Sequence, residues 1–177
     1  MKLLLHMCCA PCSVYPVSVL KSEGIQIEGL FFNPNIHPIE EFNKRKENVE
    51  IFSKAENIPV HFFDDFDQES WENFSGEESD RCRMCYTIRL EKAALYAAEN
   101  NFDAFTTTLL VSPYQKHELI KDIGEYMGKK YDVLFYYRDF RPGFREGQGK
   151  AKEMGLYRQK YCGCLVSFNA RKLLQKN

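Results

Sequence analysis

Short apolar runs alternate along the chain with stretches in which apolar residues recur at helical spacing. KLLLHM, IEGLFF, PVHFF, FDAFTTTLLV and YDVLFYY read as strands, rich in leucine, β-branched and aromatic residues. Between them, about a dozen residues ending at Lys21, then IEEFNKRKENVEIFSKAEN, CYTIRLEKAALYAAEN and KHELIKDIGEYMGKK read as helices. Strands separated by helices need right-handed crossovers, so the pattern predicts an α/β fold: a three-layer sandwich with a mainly parallel sheet. In such sheets ligands lie beyond the carboxyl ends of the strands. Here the first, second and fourth strands end in CCAPCS, NPNIHP and TTTLLVSPY, which hold most of the unusual polar residues.

The 177 residues suit one domain, large enough to bury a core without disulfides. No Pro/Gly/Ser-rich linker and no internal repeat divides the chain, so residues 1–177 are expected to form a single catalytic domain. The acidic stretch DDFDQESWENFSGEESD, at about 64–80, is expected to be a mobile insertion leading into CRMC. Lys2-Leu3-Leu4-Leu5 is too short to span a membrane and lacks the cleavage site of a signal peptide, which places the chain in the cytoplasm.

That compartment keeps thiols reduced, so seven cysteines point to metal or redox chemistry before disulfides. They fall in three clusters: Cys8, Cys9 and Cys12; Cys82 and Cys85; Cys162 and Cys164. Cys82, Cys85 and Arg89 recur at i, i+3 and i+7, on one face of a helix whose first residues Ser79 and Asp80 suit an N-cap. A thiolate–metal centre is favoured there by the helix dipole, which also lowers thiol pKa values. CAPC and CRMC are two Cys-x₂-Cys units, and this spacing leaves zinc and iron–sulfur both open. A structural zinc takes four ligands and leaves Cys8, Cys162 and Cys164 unused, so the surplus favours a redox or multi-metal centre.

The net charge of −1 suggests no polyanion partner, but it is unevenly divided. From Arg138 to the end there are ten Lys/Arg against three Asp/Glu, a balance of +7 that leaves −8 for the first 137 residues. A basic end carrying CGC can meet phosphates; a solvated Lys-rich helix is the plainer alternative.

LLLHMCCAPCS, FFNPNIHP, DRCRMCYTIRL, FTTTLLVSPYQ, YRDFRPGF and YRQKYCGCLVS together closely resemble the cobalamin-independent epoxyqueuosine reductases of the QueH type. The resemblance runs from residue 1 to about residue 170, keeps the motifs in order and includes every cysteine. It implies the last step of queuosine formation at the wobble position of tRNA, in which an epoxide loses its oxygen to leave an alkene. It also implies a [4Fe–4S] cluster with an additional mononuclear iron, no cobalamin, a tRNA substrate and an electron donor whose identity the resemblance leaves open. All seven cysteines then become candidate ligands or redox thiols, with Cys162 and Cys164 either ligands or a dithiol.

Within that resemblance Asp80 is a candidate oxygen ligand or proton donor, or only a helix cap, and His37 a candidate proton donor in a Pro-stiffened loop. Thr107 ends the fourth strand and Ser112 and Tyr114 follow it, where hydroxyls and N–H groups can hold a phosphate or the modified base, or serve only as strand formers and an N-cap. Arg89, Arg138, Arg158 and Gln159 can bind phosphate or read a base edge, and Tyr86, Tyr157 and Tyr161 can stack on a splayed base. The first loop carries no Gly-rich phosphate cradle, so no ATP is expected even though the fold is read as Rossmann-like, similar to the HUP/PP-loop group. The rival readings are a zinc-bearing tRNA-binding module without catalysis and a tRNA sulfur-transfer enzyme; iron with labile sulfide separates a reductase from the module.

Overall fold

A computed structural model describes residues 1–175. The elements run β1 (Lys2–His6), α1 (Ala10–Ser22), β2 (Gln26–Phe31), α2 (Ile39–Glu56), β3 (Val60–Phe62), α3 (Glu69–Glu72) and α4 (Glu78–Glu99). They continue with β4 (Ala104–Thr107), α5 (His117–Tyr131), β5 (Leu134–Phe135), α6 (Phe144–Glu153) and α7 (Leu165–Leu174). All strand pairs are parallel, in the order β3-β2-β1-β4-β5. Leu3, Leu4 and Leu5 of the central strand are fully buried, as a strand covered on both faces requires, and this explains its unbroken apolar run. α1 packs against α2 and α6, and α4 against α5, giving the two helical layers.

The chain first winds outward from β1 to β3, then crosses back to place β4 on the other side of β1. Crevices for ligands open where the strand order reverses in this way. The register pairs His6 with Thr107, so the loops leaving β1 and β4 start side by side.

Two strands are shorter than the apolar runs suggested. Beyond Thr107 the chain turns through a 3₁₀ segment, Thr108–Val111, whose first turn is capped by Thr107 Oγ1 accepting from the Leu109 N–H at 3.1 Å. In YDVLFYY only Leu134 and Phe135 pair with β4. α4 begins earlier than expected, at Glu78 with Glu77 as its N-cap, so Ser79 and Asp80 lie in the first turn and do not cap it.

The acidic segment is tied to the domain at several points. The Asp67 N–H donates to Pro34 O at 3.0 Å, and Asp67 Oδ1 accepts from the Ser70 N–H at 3.0 Å, starting α3. Trp71 is 2% exposed and meets the His37 ring edge-on at 5.4 Å.

Candidate metal centre

The thiols gather in two adjoining groups at the β1/β4 crevice. In the first, Cys8 and Cys9 end the loop after β1 and Cys12 lies in the first turn of α1, so a Cys-x₂-Cys at a helix start turns its sulfurs to one side. The three Sγ atoms lie within 4.8 Å of one another, a spacing that can hold a metal ion. Thr108 binds the loop twice: its Oγ1 accepts from the Cys8 N–H at 3.0 Å and donates to Cys8 Sγ at 3.2 Å. Gln159 Nε2 donates to Cys9 Sγ at 2.9 Å and reaches Cys12 Sγ at 3.4 Å. Hydrogen bonds from Cys12, then Cys9, pull Cys8 well below the usual thiol range. Its bond to Cys8 pushes Cys12 well above that range, and burial pushes Cys9 up.

His6 braces this group from beneath. Its Nδ1 pairs with Thr107 Oγ1 at 2.9 Å and its Nε2 with Phe32 O at 3.1 Å. Burial pulls its pKa down to about 4, so the ring is neutral, and the carbonyl partner assigns its proton to Nε2.

The second group joins Cys82 and Cys85 of α4 to Cys162 and Cys164. Gly163 makes the latter pair possible: its φ of +127° is open to glycine and strained for other residues, and it sets the two sulfurs 3.8 Å apart. Burial raises Cys82 and Cys85, whereas the hydrogen bond from Cys162 pulls Cys164 down to about 5. With Trp71, Arg81, Arg89, Asn35, Tyr86 and Gln115 these thiols wall a small inner cavity of about 30 Å³. Cys162 also lines the larger outer cavity, about 300 Å³, together with Cys8, Cys12, Ser112, Tyr114 and Gln159, so it stands between the two groups.

Arg89 is 3% exposed and forms an ion pair with no carboxylate among the described residues. Its guanidinium donates instead to Cys85, Nη2 to Sγ at 3.1 Å and Nε to the carbonyl at 3.1 Å. A buried cation needs a counter-charge, and thiolate sulfur is what the pocket offers. The indole Nε1 of Trp71 is likewise buried without a partner among the described residues. The donor set, the uncompensated cation and the orphaned N–H all fit an anionic metal–thiolate group.

The remaining predicted residues divide. Gln159, Tyr161, Ser112 and Tyr114 line the outer cavity; Tyr114 is 84% exposed and meets the Phe144 ring edge-on at its mouth. Tyr86 and Arg89 are not on an RNA-facing surface. Tyr86 is buried with its hydroxyl donating to Gln115 Oε1 at 2.6 Å, and burial raises its pKa to about 12. Thr107 is fully buried and holds His6, while its neighbour Thr108 reaches the site.

His37 is also fully buried. Its Nε2 faces the carbonyls of Pro34 and Asp67 at 3.0 and 2.9 Å, and its Nδ1 accepts from the Leu165 N–H at 3.0 Å. Both nitrogens are committed to backbone, so His37 ties three loops together and is not placed to donate a proton. Asp80 is exposed on the first turn of α4 and lines neither cavity. Arg138 pairs with Glu23, just past the end of α1 and so about 20 Å from the cysteines. Arg158 is exposed and likewise lines neither cavity.

Arg45 was hidden in the polar run NKRKE, which reads as a solvated helix face. It is 2% exposed, ion-paired with Glu41 at 2.8 Å, and donates to Tyr161 O and Cys162 O at 3.0 and 3.1 Å, holding the CGC turn. Glu41 four residues earlier was its one readable signal. Trp71 was signalled only by being the one tryptophan in an acidic stretch.

The sequence profile described as "Epoxyqueuosine reductase QueH" matches residues 3–170. A protein of that name from Acinetobacter baylyi is 39% identical, the match covering 94% of this chain and 80% of the relative. Others from Dehalococcoides mccartyi and Thermotoga maritima are 35% and 34% identical, over 94% and 96% of this chain and 92% and 91% of theirs. Among solved structures, a teicoplanin deacetylase complex superposes with a TM-score of 0.54 at 9% identity, covering 86% of this chain and 83% of its own, a likeness of fold alone.

Proposed function

The chain belongs to the epoxyqueuosine reductase QueH family and is an epoxyqueuosine reductase, and from that premise we propose how its residues divide the work. The observation that carries the proposal is the convergence of three distant segments: Cys8 and Cys12, with Cys9 beside them, meet one cavity, Cys82, Cys85 and Cys164 line an adjoining one, and Cys162 lines both. Cys82, Cys85, Cys162 and Cys164 form a four-thiol set suited to a [4Fe–4S] cluster. Cys8, Cys9 and Cys12 form a three-thiol set that leaves a position open on a single iron. Bound there, iron and cluster would supply electrons and Lewis acidity toward the epoxide oxygen.

The protein's own groups bind and orient. The outer cavity takes the wobble nucleoside, with Ser112 Oγ and the Gln148 amide available to its hydroxyls and Tyr114 to stack on a neighbouring base. Removing the epoxide oxygen as water needs two electrons and two protons, drawn from an external donor and from solvent reaching this open cavity. Asp80, exposed on the first turn of α4, can pass a proton from solvent toward the Cys82–Cys85 side of the centre.

Lys160 and Tyr161 also line a second groove, about 430 Å³, between α2 and α7. Lys44, Arg171 and Lys172 flank it with the rings of Tyr157 and Phe168. None of these four cations forms an ion pair among the described residues, which suits a phosphate backbone leading away from the wobble position. No helix of the described residues is long and apolar enough to cross a membrane. Seven free cysteines favour the reducing cytoplasm, where tRNA is found.

The test is anaerobic purification with iron and sulfide analysis, then reaction with epoxyqueuosine-containing tRNA and mass analysis of the nucleosides. Iron with labile sulfide and conversion to queuosine are expected. Zinc alone, with no conversion under reducing conditions, overturns the proposal.

A further inference from the structure

Trp71 is the one tryptophan of the chain, and it is buried in a segment that is otherwise mostly exposed. It packs with Cys85 and Cys164 and lines the inner cavity beside Cys82. Its only polar atom, Nε1, is buried and makes no hydrogen bond among the described residues. An indole N–H is a donor only, and burying it unpaired costs about 1–3 kcal/mol. The segment could have avoided that cost with phenylalanine, whose ring would serve as well against the edge of His37.

The acceptors around the cavity are the thiol sulfurs, Asn35 Oδ1, itself unpaired among the described residues, and the Tyr86 and Gln115 side chains, which are already paired with each other. Arg89, buried against Cys85, already makes the pocket electropositive. We propose that Trp71 is a positioning residue that donates its indole N–H to an anionic sulfur of the centre held by Cys82, Cys85, Cys162 and Cys164, and so raises that centre's reduction potential. The inference rests on the metal–thiolate reading above.

The direction follows from charge. One-electron reduction adds one negative charge to the centre, no proton moves, and an N–H···S bond strengthens as the sulfur becomes more negative. A donor of this kind therefore favours the reduced form, as hydrogen bonds to cluster sulfurs do generally. α3 thus carries the donor on a segment anchored through Asp67 and His37.

Trp71→Phe keeps most of the ring and removes only the N–H. In anaerobic protein with unchanged iron and sulfide, an EPR-monitored redox titration should show the reduction equilibrium moved about tenfold toward the oxidised form, equivalent to about 59 mV for a one-electron couple. An unchanged midpoint with iron and sulfide intact overturns the inference. Because there is one tryptophan, ¹⁵N-indole labelling of the unaltered protein gives a second reading that does not depend on the variant loading its metal. Pulsed EPR of the reduced centre should detect hyperfine coupling to that nitrogen. An EPR signal without the coupling means that the N–H is satisfied elsewhere, through solvent to Asn35, and overturns the inference while leaving the cluster standing. Absence of any iron–sulfur signal in the unaltered protein overturns both.

Discussion

The guanidinium of Arg45 lies against Gly163, so close that a β-carbon on the glycine would stand 3.1 Å from Nη1 and 3.3 Å from Ile36 Cγ1. Residues 118 positions apart therefore hold one turn between them: Arg45 donates to the carbonyls of Tyr161 and Cys162, and the glycine backbone lets Cys162 and Cys164 face the same way.

Gly163→Ala meets both obstacles at once, a left-handed backbone and a crowded Cβ. It should cost about 1–3 kcal/mol of stability in urea unfolding and lower iron per chain. Gly149→Ala, in α6 with open space around its Cβ, is the control expected to leave iron unchanged. Full iron loading in Gly163→Ala would remove the turn from the centre.

Cys82→Ala and Cys85→Ala should both lose iron while keeping the far-ultraviolet circular dichroism of the folded domain. They should differ in stability. Cys85→Ala deprives the buried Arg89 of its sulfur partner and should be the less stable apoprotein by about 1–3 kcal/mol. Equal unfolding midpoints for the two apo variants would mean that Arg89 finds its counter-charge elsewhere.

The groove between α2 and α7 is tested by replacing Lys44, Lys160 and Lys172 together with alanine. tRNA binding should weaken, and the slope of log affinity against log salt should flatten by about two units, at about 0.7 per phosphate contact on a single strand. Arg138→Ala should change neither, since that side chain is paired with Glu23 at the far end of α1. An unchanged slope in the triple variant would return these lysines to ordinary solvated surface.

His117 provides a pH test that does not involve the thiols directly. It is 6% exposed with Nε2 on the Tyr137 hydroxyl at 3.0 Å, and burial, followed by the charge of Arg141, lowers its pKa. Asp139 and Glu118 oppose the shift and Lys121 adds to it. A histidine held neutral in the folded state stabilises fully above the unfolded pKa of about 6.5. Below it the unfolded chain takes up the proton first, so stability is lost as pH falls. Urea midpoints at pH 7 and pH 5 should therefore differ less in His117→Asn than in the unaltered protein. An equal difference would exclude His117 as a contributor.

Much of this protein could be read along one dimension. Alternating apolar runs and helical periods are local signals, and a strand such as LLL, buried on both faces, announces a parallel sheet without reference to its neighbours. The seven cysteines were legible for the same reason: their chemistry belongs to the residue type, and their clustering is visible in sequence. What the sequence could not convey is which cluster faces which. Cys85 and Cys164 meet because a crossover returns α4 beside β1 while the chain's end folds back under Arg45, and neither event leaves a local trace. Burial was hidden too. His37, Thr107, Tyr86 and Arg89 carry reactive-looking groups, and only the tertiary structure turns those groups inward onto backbone, His6, Gln115 and Cys85. Conversely Arg45 and Trp71 sit in polar stretches that read as surface, yet packing encloses them, because long-range contacts and not local composition determine which side chains lose their water.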